Sequence, residues 1–176
     1  MKVYIYFILL INTYVAYGQT TSTGTTSASL NLPLVALLDV EPTGSINLSF
    51  TAPTEGGSAL GSSATNATKW INISSAVTTG LTRRVTAQIS GTLPNGVRLQ
   101  IQTANATSGA GTRGTAITPI FLTTAAQTII NSIAGAYTNS GSGQGYNLTY
   151  SLDIQNYSLL SSGSSTFTVL FTLVDN

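Results

Sequence analysis

The sequence predicts an all-β protein built as an antiparallel two-sheet sandwich. Three observations carry this. Residues 146–154 read Y-N-L-T-Y-S-L-D-I, with Tyr146, Leu148, Tyr150, Leu152 and Ile154 on one parity and Asn147, Thr149, Ser151 and Asp153 on the other. Residues 166–174 read T-F-T-V-L-F-T-L-V, and Phe167, Val169, Phe171 and Leu173 share a face. Side chains alternate between faces along a strand, so each segment has one apolar face and one polar face. The third observation is punctuation: Gly-, Pro- and Asn-containing turns separate about eight or nine such short segments. The two C-terminal strands are expected side by side in one sheet.

In chain order, the first segment is a targeting signal. Lys2 precedes an apolar run over residues 3–11, and Ala16-Tyr17-Gly18 presents small residues where a signal peptidase cleaves, which predicts cleavage after Gly18. The run is shorter than the roughly 20 apolar residues that span a bilayer. The expected organisation is therefore a signal over 1–18, a flexible Thr/Ser/Gly leader over 19–29 and one β-sandwich domain over 30–176, with no membrane span in the mature chain. Secretion to the extracellular space, cell surface or periplasm follows.

Residues 30–40 predict an apolar strand in which Leu30, Leu32 and Leu34 alternate with Asn31 and Pro33. Pro33 has no N–H to give a ladder, which places this strand at an edge or a break. After the Pro42-Thr43-Gly44 turn, Ile46, Leu48 and Phe50 alternate with Asn47, Ser49 and Thr51. A long polar loop is expected over 53–68, then a strand over 70–74 with Ile71 and Ile73 on one face and Trp70 and Asn72 on the other. Residues 84–90 and 97–103 predict a hairpin around Leu93-Pro94-Asn95-Gly96. A small-residue loop over 104–114, a short strand over 117–123 interrupted by Pro119, and a Gly/Ser loop over 137–145 complete the chain. Residues 127–133 fit either a strand or a turn of helix. No internal repeat is present, which argues against a solenoid or propeller. The immunoglobulin-like sandwich is the expected type, with a jelly roll as the alternative. Trp70 sits where such sandwiches bury a tryptophan; a partly exposed surface Trp is the other reading.

Composition excludes several functions. With Lys2 removed, Lys69, Arg83, Arg84, Arg98 and Arg113 balance Asp39, Glu41, Glu55, Asp153 and Asp175. There is no basic stripe for nucleic acid. The chain has no cysteine, so neither a disulfide framework nor thiolate chemistry is available. It has no histidine, which rules out a Ser-His-acid triad. Lys69 reads as a solvated strand-edge lysine. Asp39 and Glu41 share parity, about 7 Å apart along a strand, but run into a turn where acids are normally solvated. No calcium-loop pattern occurs. No catalytic residue, metal site or cofactor is expected.

N-x-S/T triplets fall at Asn47, Asn66, Asn72, Asn105, Asn147 and Asn156, in a chain so rich in Ser and Thr that chance accounts for many. For sugar binding the candidate aromatics are Tyr137 and Tyr157, beside Gly/Ser loops, and Trp70; Tyr146 and Tyr150 share the apolar face and read as core. An ice-binding surface would need a flat repeated Thr array, which is absent.

The C-terminal pattern of a tyrosine-bearing alternating strand, a Ser/Gly-rich link and then S-S-T-F-T-V-L-F-T-L resembles the ends of pilin-like and spore-coat-U-like secreted β-sandwiches. The cysteine pair usual in that group is missing. The resemblance implies a bacterial surface subunit that polymerises by lending an N-terminal strand to a neighbour's sheet, with Leu30, Leu32 and Leu34 as the donor. The expected function is therefore a structural or adhesive surface protein whose partners are copies of itself. A carbohydrate-binding module recognising extracellular glycan is the alternative.

Overall fold

The computed structural model describes Gly18, residues 22–117 and residues 119–176. Residues 1–31 and 32–176 form separate units. In the first, the expected signal over 1–18 lies outside the described residues apart from Gly18, and residues 22–31 are exposed and without regular structure. The second unit is all β.

Thirteen strands are described, in the order β1 (Val35–Glu41), β2 (Phe50–Thr51), β3 (Gly61–Ser63), β4 (Asn66–Ala76), β5 (Arg83–Gly91), β6 (Val97–Thr103), β7 (Ala110–Gly111), β8 (Thr115–Ala116), β9 (Ile120–Leu122), β10 (Gln127–Ile133), β11 (Ala136–Tyr137), β12 (Tyr146–Ile154) and β13 (Phe167–Asp175). A 3₁₀ turn, Tyr157–Leu159, follows β12. A seven-stranded sheet runs β7-β11-β4-β12-β6-β9, with β1 also on β4. A four-stranded sheet runs β13-β5-β10-β8, and β2 pairs β3. All pairings are antiparallel.

One core joins the two larger sheets. Ile71, Ile73, Leu99, Ile101, Tyr146, Leu148 and Tyr150 come from the seven-stranded sheet. They meet Val85, Ala87, Ile89, Ile129, Ile130 and Ile133 from the four-stranded one. Alternate residues of β4, β5, β6 and β12 face inward, as the period-two pattern of these segments requires.

Two expected neighbourhoods are corrected. β12 and β13 do not lie side by side: β12 pairs β4 and β6, whereas β13 pairs β5. Residues 84–90 and 97–103 do not form a hairpin either, because β5 and β6 belong to opposite sheets. The turn chemistry is nevertheless as read, since Val97 N–H bonds to Pro94 O at 3.2 Å and Gly96 takes φ +77. At up to about 3.4 Å per residue, the link 92–96 can cross the roughly 10 Å between packed sheets. Inward alternation looks the same for strands that pair and for strands that face each other across a core.

Smaller differences follow from backbone chemistry. The first strand begins at Val35, not at residue 30, and Pro33, which has no N–H to give a ladder, lies in the unpaired stretch before it. Ile46 and Leu48 are half-buried against the core, yet only Phe50–Thr51 finds a ladder partner. The loop expected over 53–68 is cut by β3 and by the start of β4 at Asn66. The ambiguous segment 127–133 is a strand, irregular because Ser132 adopts φ +61 and the register slips twice.

Lys69 is not solvated. It faces inward at 7 % exposure, and its ammonium donates to the carbonyls of Pro42 and, at 2.7 Å, of Gly44. It thereby ties down the turn that follows β1.

Candidate functional site

The outer face of the seven-stranded sheet gathers the chain's recognition chemistry. In β4, Lys69, Ile71, Ile73 and Ser75 alternate inward, so Trp70, Asn72 and Ser74 stand on the other face. Residues directly opposite on neighbouring strands share a face. Register therefore places Glu41 beside Trp70, Asp39 beside Asn72 and Leu37 beside Ser74. On the other flank Tyr137 stands beside Ser74. A row Leu37–Ser74–Tyr137 results, with a small residue between two large ones.

That row opens a hollow of about 490 Å³ bounded by Leu37, Asp39, Asn72, Ser74, Tyr137 and Asn139. Leu37 is 64 % exposed and Tyr137 51 % exposed, so both side walls are reachable from solvent. Asn72, on the floor, is only 6 % exposed; its amide donates to Gly141 O at 3.1 Å, and its Oδ1 has no hydrogen-bond partner among the described residues. Asn139 on the rim holds φ +64, a conformation that non-glycine residues seldom adopt.

The wall carrying Tyr137 is anchored. The fully buried Thr138 accepts the Ile73 N–H on its Oγ1 at 2.9 Å, and its own N–H donates to Ile73 O at 3.1 Å. Ser108 Oγ donates to Thr138 O and accepts the Gly145 N–H at 3.1 Å. The ring of Tyr137 is thus presented on a fixed backbone.

The structure brings two of the three candidate aromatics to this face. Trp70 and Tyr137 are separated by four residue positions along β4 and one strand across it, roughly 14 Å between backbones. Trp70 is half-buried there and outside the core, which corrects the expectation of a core tryptophan. Tyr157 is 52 % exposed, as its Gly/Ser surroundings suggest, but it sits on the 3₁₀ turn at the far end of the sheet, its hydroxyl accepting the Leu60 N–H at 2.8 Å. Phe121 also lies on the outer face, opposite Gln100, but the guanidinium of Arg98 covers its ring at 3.6 Å and pairs with Asp153 at 2.6 Å. A second hollow of about 250 Å³, between residues 92–94 and 161–165, has no aromatic lining.

Asp39 and Glu41 stand on the same outer face, in β1. Among the described residues no group of three or more acids could hold a metal ion. Sequence reasoning missed Leu37, Ser74 and Asn139 as neighbours of Tyr137. Only the β1–β4–β11 register assembles them, and no local signal announces it. The Asn72 triplet is closed to a glycan in the folded chain by its burial, whereas Asn47 is exposed.

The core tyrosines behave as their burial dictates. Loss of solvation pushes the Tyr146 hydroxyl up to about 12, outweighing the opposing pull of Arg113, and raises Tyr150 as well. An unfolded tyrosine ionises near pH 10, so the unfolded chain loses these protons first. Stability should hold up to about pH 10 and then fall towards pH 12 by about 1.4 kcal/mol per pH unit for each tyrosine. Urea unfolding between pH 8 and 12 measures this, and a Tyr146→Phe/Tyr150→Phe variant should flatten the slope; no loss above pH 10 would contradict the assignment.

Compared with known proteins, the chain matches no family model, no curated protein sequence and no solved structure.

Proposed function

We propose that this chain is a secreted or cell-surface structural protein that assembles with copies of itself by strand addition. The observation that carries the reading is the edge of the four-stranded sheet. β13 is a nine-residue strand that, among the described residues, pairs with β5 on one side only. It has no proline, and its only charge is the last residue, Asp175. Long apolar edges are normally shortened, charged or covered, because their unpaired N–H and C=O groups template pairing with another chain. Phe167, Val169, Phe171 and Leu173 on its inner side are only half-buried, and Leu170 on its outer side is 48 % exposed.

A donor is available on the same chain. Leu30, Leu32 and Leu34 are 85 %, 79 % and 70 % exposed, with no strand partner among the described residues. Added to the β13 edge of a neighbour, alternate leucines would extend the apolar stripe of Phe167, Val169 and Phe171. Successive backbone N–H groups point to opposite sides of a strand. Pro33 is therefore compatible with pairing on one side and blunts the outer edge against further addition. Adhesion follows from the same arrangement, since a linear assembly displays many identical sheet faces.

Size-exclusion with light scattering and electron microscopy of the chain lacking residues 1–18 tests this. The chain should form linear assemblies. Removing residues 19–34 should leave monomers that bind a synthetic peptide of residues 28–36, and Val169→Lys should block that binding. Wild-type protein that stays monomeric at high micromolar concentration would refute the proposal.

A further inference from the structure

We infer that the hollow between Leu37 and Tyr137 is a binding site for a neutral saccharide, independent of any assembly through β13. Its volume of about 490 Å³ lies within the roughly 300–1,000 Å³ of small-molecule sites. Sugar rings present an apolar C–H face and a polar rim of hydroxyls. The hollow offers the matching pair of surfaces. Tyr137 supplies an exposed aromatic plane on an anchored backbone, and Leu37 supplies apolar contact opposite it.

The polar complement is acceptor-rich. Asp39 presents a carboxylate that can take two hydroxyl hydrogens, with one oxygen also accepting the Val40 N–H at 2.8 Å. Asn139 and Ser140 form the rim, and their side-chain amide and hydroxyl can pair with further sugar hydroxyls.

Charge selects within the sugars. Asp39 and Glu41 lie on this face, and no basic residue bounds the hollow. The inward-facing ammonium of Lys69 is engaged by two carbonyls. Uronates and other acidic sugars would meet uncompensated negative charge, so neutral hexose oligomers fit and acidic ones do not. Trp70, on the same face about 14 Å from Tyr137, extends the platform to an oligomer longer than the hollow itself.

Trp70 is the chain's single tryptophan, so its fluorescence reports on this face alone. The experiment titrates the chain lacking residues 1–18 with neutral gluco- and manno-oligosaccharides and with oligouronates of matching length. A saturable change in Trp70 emission is expected with at least one neutral series and none with the uronates. Tyr137→Ala should weaken binding at least about tenfold and Asp39→Asn several-fold, both with unchanged thermal midpoints. Tyr157→Ala, at the far end of the sheet, should bind as wild type. Absence of binding to every neutral oligomer at millimolar concentration would overturn the inference. So would a preference for uronates, or wild-type affinity in Tyr137→Ala. Strand assembly is read separately by light scattering on the same samples, so failure of one proposal is distinguishable from failure of the other.

Discussion

A Leu99→Asp chain should be recovered unfolded, whereas Gln100→Asp, one residue on, should fold normally. Leu99 is fully buried, and its neighbours across both ladders are Leu152 and Leu122. An unpaired carboxylate there costs several kcal/mol even after it takes up a proton. That is comparable to the entire stability of about 5–15 kcal/mol expected for a domain. Gln100 faces outward between Ser151 and Phe121, where a carboxylate stays hydrated. Leu99 is a sharper test than Leu148, because Lys69 opposite Leu148 could offer a new aspartate a counter-charge. Leu152 is only half-buried and should give a milder loss than either. Circular dichroism and urea titration distinguish these cases; equal tolerance at positions 99 and 100 would mean that the inner and outer faces of β6 have been exchanged.

The second large effect is expected at Arg83. Its side chain is 4 % exposed and joins the two sheets at one corner of the sandwich. From β5, Nε donates to Asp175 of β13 at 2.7 Å, while Nη1 reaches the carbonyl of Val35 in β1 and Ser75 Oγ in β4 at 3.3 Å. Arg83→Met keeps much of the volume but strips these acceptors of their donor. A loss of about 3 kcal/mol is expected, in the range for breaking a buried charged network. Asp175→Asn should cost less than about 1 kcal/mol, because its carboxylate is 76 % exposed and solvent screens the pair. The midpoints of urea unfolding compare the two; similar losses would show that Arg83 acts mainly through Asp175 and not through the backbone carbonyls.

The strands were most legible in the two C-terminal segments, whereas the alternation at residues 30–34 and 46–49 finds no ladder among the described residues. The whole of Tyr146–Ile154 pairs, with Tyr146, Leu148 and Tyr150 inward, and Phe167–Asp175 keeps its apolar stripe. What alternation cannot convey is the identity of the neighbour. An inward stripe is equally satisfied by pairing within a sheet and by facing another sheet, which is why β5 and β6, and β12 and β13, change from neighbours to opposites. Buried charge was also hidden. Nothing local distinguishes Lys69 and Arg83 from surface bases, because their partners are backbone carbonyls of remote segments. The candidate site was half legible: Tyr137 and Trp70 could be picked out as aromatics, but their common face depends on a pairing register set by residues far away in the chain.

The same exchange of neighbours shapes how the protein reaches its native state. β4 and β5 are consecutive in the chain but lie in opposite sheets, and besides the ladder of β4 with β1 they need β12 and β13, respectively, to complete those sheets. Both sheets must therefore close loops over much of the domain, and the chain entropy of that closure has to be met before any of those contacts form. Folding is expected in the slow range of non-local β topologies, about milliseconds to seconds. Until residues 146–175 arrive, the Ile71 and Val85 faces have no complete sheet to join. A chain wired in this way resists closing early and locks only once its last strands are free to pair.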